Sequence, residues 1–489
     1  MIRLLLVLLA LTALPREADT AGRELRAAVH VHTTFSSGAL TLDELLEEAR
    51  RERLDAVLLA DNFLLRFEYG LFPLRGLVRK VVEKPSVMRG GVERYLQAVD
   101  AAQARFPDLV LVPGVEVIPY YYWTGSVWTG DLTQWDAQKN LLVLGLTRPA
   151  AYAGMPAVGA GGARVPGPAR LAELALAAVA LVGGTVLLRL RRERPVRLRR
   201  FTLRTVRRYR LPGAMTLGLG AALALDAAMI PDFHPYQGNL GIEPYQRVID
   251  YAESLGGAVV WSYPEARDFG RFEVGRFGRV TVRTDPAPET LLQSRGYTGF
   301  GAVYEDTVTF TEPGRQWDRL LREYAEGRRA RPAWGVGELG YHGRDKRLGG
   351  VTTAFLAAER SRAGLLAALR AGRLYAVRSL GDYHFVLEEF AMAEEGGGDW
   401  VTMGGEVAAR GPAPLRLRVR ITASDGRAAP IAGRVIRSGA VVAALEGVTP
   451  LERTLAVAPP PPGRREFVRL EVTGPRRLLA NPIFVRRPG

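Results

Sequence analysis

Short apolar runs that end in polar residues recur along the chain. Ala27-Ala28-Val29-His30-Val31-His32 reads as a buried strand closing on two histidines. Residues two apart share one face of a strand, so both imidazoles are expected to point the same way and could grip one cation. Asp55 to Asp61 reads as a second strand, ending in an acid. Leu109 to Val112 is a third, followed by Pro113-Gly114-Val115-Glu116; Gly257 to Trp261 is a fourth, and Trp334 to His342 a fifth. Between the first two, Thr41-Leu42-Asp43-Glu44 forms a capping box, and Leu42, Leu45, Leu46 and Ala49 recur at helical spacing. Strand–helix alternation predicts a parallel sheet. Polar residues gathered at the C-terminal strand ends are the mark of an α/β barrel site.

The middle of the chain follows another pattern. Leu174 to Leu188 and Leu211 to Leu225 are apolar runs of fifteen residues without a charge. Between them, positions 189–210 hold eleven arginines and one acid, Glu193. Two apolar stretches joined by a basic loop predict a transmembrane helical hairpin over 169–231 with a cytoplasmic loop at 189–210. The alternative is a soluble helical hairpin with a solvated basic face. Leu198, Phe201, Leu203 and Val206 interleave with the arginines, which suggests an amphipathic or interfacial segment against anionic lipid. Met1-Ile2-Arg3 followed by an apolar run to Leu14 fits a signal peptide or an uncleaved anchor over 1–21. Together these place the flanking regions outside the cytoplasm, on the periplasmic side of a bacterial-type inner membrane. Tyr120-Tyr121-Tyr122-Trp123, with Trp128 and Trp135, opens an aromatic loop and linker over 119–168. It suits a pocket wall and a lipid interface equally.

After a helix ending near Gly372 the period becomes two. Leu415 to Ile421 alternates apolar and arginine, Ser438-Gly439 marks a hairpin turn, and Phe467 to Val472 is a further strand. These predict a β-sandwich over 381–489.

Charge and composition narrow the chemistry. The formal net charge is +15, but the 189–210 loop carries most of it, which argues against a nucleic-acid groove. The absence of cysteine excludes disulfides, thiol catalysis and zinc–cysteine sites. There are five histidines: His30, His32, His234, His342 and His384. The first pair, beside Glu116, is the best candidate for metal binding; His384 reads as structural.

These motifs resemble the polymerase and histidinol phosphatase (PHP) family of metal-dependent phosphoesterases. His30-Val31-His32-Thr33 through Ser36-Ser37-Gly38 is similar to the family's H-x-H-T-x-x-S-D-G. Asp61-Asn62 is similar to its T-D-H turn, Pro113 to Glu116 to P-G-x-E, Ser262 to Glu265 to A-H-P-E, and Gly340 to His342 to D-x-H. The resemblance covers 25–118 and 232–350. The elements at 373–376 and 481–485 resemble the carbaryl-hydrolase-like branch. The resemblance implies an α/β fold: a distorted (β/α)7 barrel in two parts, 25–118 and 232–380, interrupted by the transmembrane hairpin and followed by the sandwich. It also implies a metal-dependent hydrolase of a small-molecule phosphoester or related ester. Four family ligands are replaced, by Ser37, Asn62, Tyr263 and Gly340. What remains is a divalent ion, Zn²⁺ or Mn²⁺, held by His30, His32 and Glu116, with His234 and His342 for a second ion or for substrate. Fewer ions than the usual cluster are implied. Asp61 is expected to orient a ligand, Glu338 to stand in for the carboxylate lost at Gly340, and Tyr263 to donate to an oxyanion. The alternative is a catalytically degenerate barrel acting as a ligand-binding or scaffold protein at the membrane.

Overall fold

In a computed structural model the described residues are 22–160, 168–198, 201–231, 233–273, 278–306, 308–397 and 399–489. The expected signal or anchor over 1–21 lies outside them.

β1 (Arg23–Val31) leads into α1 (Leu42–Arg51), started by the expected capping box of Thr41 and Glu44 and buried through Leu42, Leu45, Leu46 and Ala49. β2 (Ala56–Leu59) and β3 (Asp61–Asn62) are two parts of one bent strand. β4 (Arg66–Gly70) and β5 (Arg79–Glu83) form an antiparallel ribbon. α2 (Val87–Gly90) and α3 (Val92–Arg105) precede a second bent strand, β6 (Val110–Val112) and β7 (Gly114–Val117). The stretch 119–168 is not all loop and linker. It holds β8 (Tyr122–Thr124), β9 (Thr133–Trp135), β10 (Leu141–Leu144) and α4 (Pro149–Ala153).

α5 (Pro168–Arg189) and α6 (Arg210–Met229) follow, joined by β11 (Arg191–Leu198) and β12 (Phe201–Arg208). The basic segment is thus an antiparallel ribbon rather than an irregular loop. The two helices touch through small residues. A Cβ on Gly184 would lie 2.5 Å from the Leu217 nitrogen, one on Gly213 2.7 Å from the Leu188 nitrogen, and one on Gly220 2.7 Å from the Leu181 nitrogen. Their larger side chains, among them Leu171, Val179, Val182, Leu211 and Met215, face outward and are exposed. Among the described residues, Arg210–Met229 is long and apolar enough to cross a membrane by length and composition; its partner's apolar stretch, Leu174–Arg189, is shorter.

The chain then forms α7 (Glu243–Ser254), β13 (Ala258–Trp261), the antiparallel pair β14 (Asp268–Glu273) and β15 (Arg279–Thr284), α8 (Thr290–Gln293), β16 (Gly299–Val303), α9 (Gln316–Ala325) and β17 (Trp334–Gly337). β1, β2 and β6 pair in parallel, as do β3 with β7, β13 with β16 and β16 with β17. β10 lies antiparallel between β7 and β13. Beyond β17, Leu339 N–H donates to Val29 O, and Tyr341 bridges Val31, so the hydrogen-bonded path returns to β1. Side chains alternate accordingly. Ala27, Val29, Leu58, Val112, Leu142 and Val260 form one cluster, while Ala28, Val57, Leu111, Val143 and Val259 pack in another with the surrounding helices.

β18 (Val351–Ala357) pairs antiparallel with β1, and β19 (Leu374–Arg378) with β18. Between them lies α10 (Arg362–Ala371), capped by Ser361 and ended by Gly372 at φ +70°. Its Leu365, Ala368 and Leu369 join the Val29 cluster.

The C-terminal region is rich in strands, as expected. β20 (Phe385–Glu394), β21 (Val401–Thr402), β23 (Leu415–Ala423) and β26 (Leu451–Val457) make one sheet; β22 (Glu406–Ala408), β24 (Pro430–Arg437), β25 (Ala440–Val448), β27 (Arg465–Val472), β28 (Leu478–Ala480) and β29 (Ile483–Arg486) belong to the other. Ser438 and Gly439 make the turn of the β24–β25 hairpin, both at positive φ. The second sheet is not separate: β28 pairs with β19. The boundary expected at 380/381 therefore crosses one continuous sheet.

Candidate metal centre

His30 does not reach the site by simple strand alternation. It sits at φ +69°, and the β1–β2 register shifts between Val29 and Val31. This bulge re-aims the side chain, at the cost of a backbone conformation that non-glycine residues rarely adopt. The two imidazoles converge with centroids 5.1 Å apart and planes tilted by 55°. Glu116, at the end of β7, faces both: its Oε1 is 3.3 Å from His30 Nε2 and its Oε2 3.7 Å from His32 Nε2. All three are buried, and one potential ligand atom from each lies within 4.8 Å of the others.

The surrounding groups set their charges. Glu338, fully buried, accepts from His30 Nδ1 (3.0 Å), from Ser262 Oγ (3.0 Å) and from the Tyr263 N–H (2.7 Å). Burial alone would lower the His30 pKa, but Glu116 and Glu338 on its two nitrogens outweigh it and raise it to about 9. Burial would likewise raise the Glu116 carboxyl, yet His30, His32 and the Asn140 amide hold it down at about 2. Burial pushes His32 well below the usual histidine range, so it is neutral.

His32 carries the test of fit for a metal. Both its ring nitrogens are buried and have no hydrogen-bond partner among the described residues. A neutral imidazole with an orphaned nitrogen beside a carboxylate is a donor set that suits a divalent cation. Glu338 on Nδ1 of His30 leaves Nε2 facing Glu116, an arrangement that commonly orients a metal-binding histidine. The residues present fit one ion.

The other expected site residues take different places. Asp61 does not orient a histidine. It accepts from the Thr33 N–H, Thr33 Oγ1 and Ser36 Oγ at 2.7–2.8 Å, holding the loop after His32. Glu338 does not take the place of an acid at Gly340; it positions His30. Tyr263, at φ +44°, packs its ring on His30 with centroids 5.3 Å apart, and its hydroxyl donates to Glu305. A Cβ on Gly340 would lie 2.5 Å from that hydroxyl oxygen, so the phenol fills the room that a side chain at 340 would need. Ser37 Oγ donates to Asn62 Oδ1, and Asn62 Nδ2 donates to Glu116 Oε2. Ser37 also meets His342 Nδ1 at 3.1 Å. His342 stacks on His32 with centroids 4.1 Å apart and is exposed at the mouth. His234 does not join the three; its Nδ1 accepts from the Tyr236 N–H. His384 lies beside Arg26, away from the site.

Two members were not foreseen. Asn140, just before β10, donates to Glu116 Oε1 at 2.6 Å. Ser262, just after β13, touches both Glu338 and His30. Ser262 lay inside the motif compared with A-H-P-E, at a position given no role; for Asn140 the only signal was a polar residue abutting a four-residue apolar run.

No family model matches the chain, and no curated protein matches it. Among solved structures it is similar to a two-domain protein from Bacteroides vulgatus described as containing a predicted PHP-like metal-dependent phosphoesterase, at 11% identity and a TM-score of 0.36, covering 92% of this chain and 91% of that one. It is similar to a candidate metal-dependent phosphoesterase from Bifidobacterium adolescentis at 15% identity and 0.27, covering 65% and 88%. It is also similar to an amidohydrolase from Chromobacterium violaceum with bound sulfate and no metal, at 12% identity and 0.26, covering 66% and 89%.

Proposed function

We propose that this chain is a membrane-tethered, PHP-type metal-dependent hydrolase of a phosphoester or related ester, built on a distorted (β/α)7 barrel. The observation that carries the reading is His32, neutral, with two orphaned ring nitrogens beside Glu116 and His30. His30 and His32 through a ring nitrogen and Glu116 through a carboxylate oxygen would hold one divalent ion, Zn²⁺ or Mn²⁺. Such an ion supplies Lewis acidity and makes water a nucleophile near neutral pH. The chain's own residues do the rest. Glu338 fixes the ring of His30, Asn62 and Asn140 orient the two oxygens of Glu116, and Asp61 holds the loop that bears His32. His342, exposed and stacked on His32, is held below the usual histidine range by desolvation, so it is neutral and suited to accept a proton from the attacking water.

The tether is α5 and α6. Glycines at their contact and large apolar side chains facing outward invert the usual soluble arrangement, and they suit helices packed within lipid. With the basic ribbon on the cytoplasmic side, the rest of the chain lies outside it.

The test is to purify the full chain in detergent, measure bound metal, and assay bis(p-nitrophenyl) phosphate with added Mn²⁺ or Zn²⁺. One ion per chain and hydrolysis, both lost in His32→Ala, are expected. A metal-free, inert protein would overturn the reading and leave the ligand-binding scaffold, which the hydrogen-bonded replacements Ser37 and Asn62 favour.

A further inference from the structure

Apart from α5, α6 and the ribbon between them, and save for Leu380 beyond β19, the α/β region carries its exposed large apolar side chains at one end. Phe72, Val78, Val81 and Val82 lie on the β4–β5 ribbon and its turn, Trp128 in the β8–β9 turn, and Phe269 and Phe272 on β14. Among the described residues of 22–160 and 233–378, no other large apolar side chain is as exposed. These elements follow β3, β7 and β13, the strands whose ends bear Asn62, Glu116 and Ser262. They therefore leave the sheet at the strand ends that carry the metal centre.

The two apolar helices leave from that same end. Before them, Val158 N–H donates to Pro119 O, just past Glu116. After them, Phe233 stacks on Tyr120, and Pro235 O accepts from the Trp123 N–H. Asp226, near the end of α6, accepts from the N–H groups of Gly76 and Leu77 at 2.7 Å and pins the β4–β5 turn to the helix. That ribbon carries five basic residues, Arg66, Arg75, Arg79, Lys80 and Lys84, against two acids. Aromatic and aliphatic tips with basic flanks, continuous with an apolar helix pair, match the chemistry of a bilayer surface.

We infer that the mouth of the site opens onto the lipid surface and that the substrate is a bilayer-resident amphiphile with its phosphoester or carboxylic ester at headgroup level. This rests on the hydrolase reading above and names its substrate class. The step balances with water alone. The water oxygen bonds to phosphorus or carbonyl carbon, the ester bond breaks, and the leaving alkoxide keeps the electron pair and takes the proton.

The experiment uses the full chain in phosphatidylcholine–phosphatidylglycerol vesicles. Trp128 reports its own surroundings through the difference between the chain and W128F. Lipids brominated near the headgroup are expected to roughly halve that signal, and F269D/F272D to restore it. In parallel, hydrolysis of dihexanoylphosphatidylglycerol is expected to rise severalfold as the lipid passes its critical micelle concentration. Failure of the chain to enter vesicles overturns the membrane reading. An inserted chain whose Trp128 is not quenched, or whose rate shows no break at micelle formation, overturns this inference while leaving hydrolysis of bis(p-nitrophenyl) phosphate to support the hydrolase. Inertness toward soluble and aggregated esters alike overturns both.

Discussion

The Glu338 carboxylate has three donors and no solvent, and one neighbour makes room for it. A Cβ on Gly301 would lie 1.7 Å from Glu338 Oε1, so no side chain is compatible with the carboxylate in this place. Glu338→Gln keeps the shape and removes the charge that His30 feels. Metal affinity is expected to fall about 10- to 100-fold, as for other partners of metal-binding histidines, measured by competition with a chelating dye. Gly301→Ala should fall further, because the carboxylate is displaced as well. A second expectation follows from His30 at about 9. Below that pH an ion must displace its proton, so apparent metal affinity should rise about tenfold per pH unit between 6 and 8, read by titration at fixed ionic strength. The same shift acts on the metal-free fold. A raised histidine pKa stabilises fully below about 6.5, and that contribution is lost as pH rises through about 9. Asp61, which burial lifts to about 6 despite its bonds from Ser36 and Thr33, acts in the same direction: its cost is absent below about 4 and complete above 6. The metal-free chain should therefore melt at lower temperature at pH 9 than at pH 7.5, a window in which the lowered His32, His342 and His384 are neutral folded and unfolded alike, as followed by circular dichroism. His30, His32 and Glu116 were legible in the sequence because each closes an apolar run. The role of Glu338 was not, because only the bulge at His30 turns Nδ1 toward it.

At the scale of elements, the apolar runs marked β1, β2, β6, β13 and β17, and the capping box marked the start of α1. Two strands of the circuit escaped for physical reasons. β10 is four residues inside an aromatic, glycine-bearing stretch and runs against its neighbours, so strand–helix alternation does not announce it. β16 reads Gly-Phe-Gly-Ala-Val, and its glycines answer to tertiary needs, one of them the room for Glu338. The helices α5 and α6 were legible, but the ribbon between them was not, since arginine-rich alternation suits several structures. Their contact yields a further expectation. Gly220→Leu places a side chain against the Leu181 backbone, and overpacking of this kind costs about 1–3 kcal/mol. The helix pair should separate at lower denaturant or temperature in detergent, with bound metal unchanged.

Over the whole molecule, the C-terminal strands and the α/β region form one hydrogen-bonded body. Besides the β19–β28 pairing, Arg469 on β27 makes a bidentate bond to Asp318 on α9 at 2.7 and 2.9 Å, both side chains wholly buried. Asn481 donates to Gly335 O and Leu374 O and accepts from the Gly335 N–H. Removal of one partner strands a buried charge, so Asp318→Ala is expected to cost about 3–5 kcal/mol. The paired change to leucines should recover much of that in thermal unfolding. A chain ending at residue 380 should fail to fold, because β19 loses its neighbour and Asp318 its cation. The change of period near 380 was legible in the sequence; the continuity of the sheet was not, since strand partners distant along the chain leave no local signal.

The contact between Tyr263 and Gly340 sets an order on change. An acid introduced at 340 alone meets the phenol at 2.5 Å and must adopt φ +54°, where only glycine sits freely. Tyr263→His removes the phenol oxygen that blocks the way. The two substitutions are thus ordered: a side chain at 340 gains its room only after the change at 263, and the reverse order meets the phenol first.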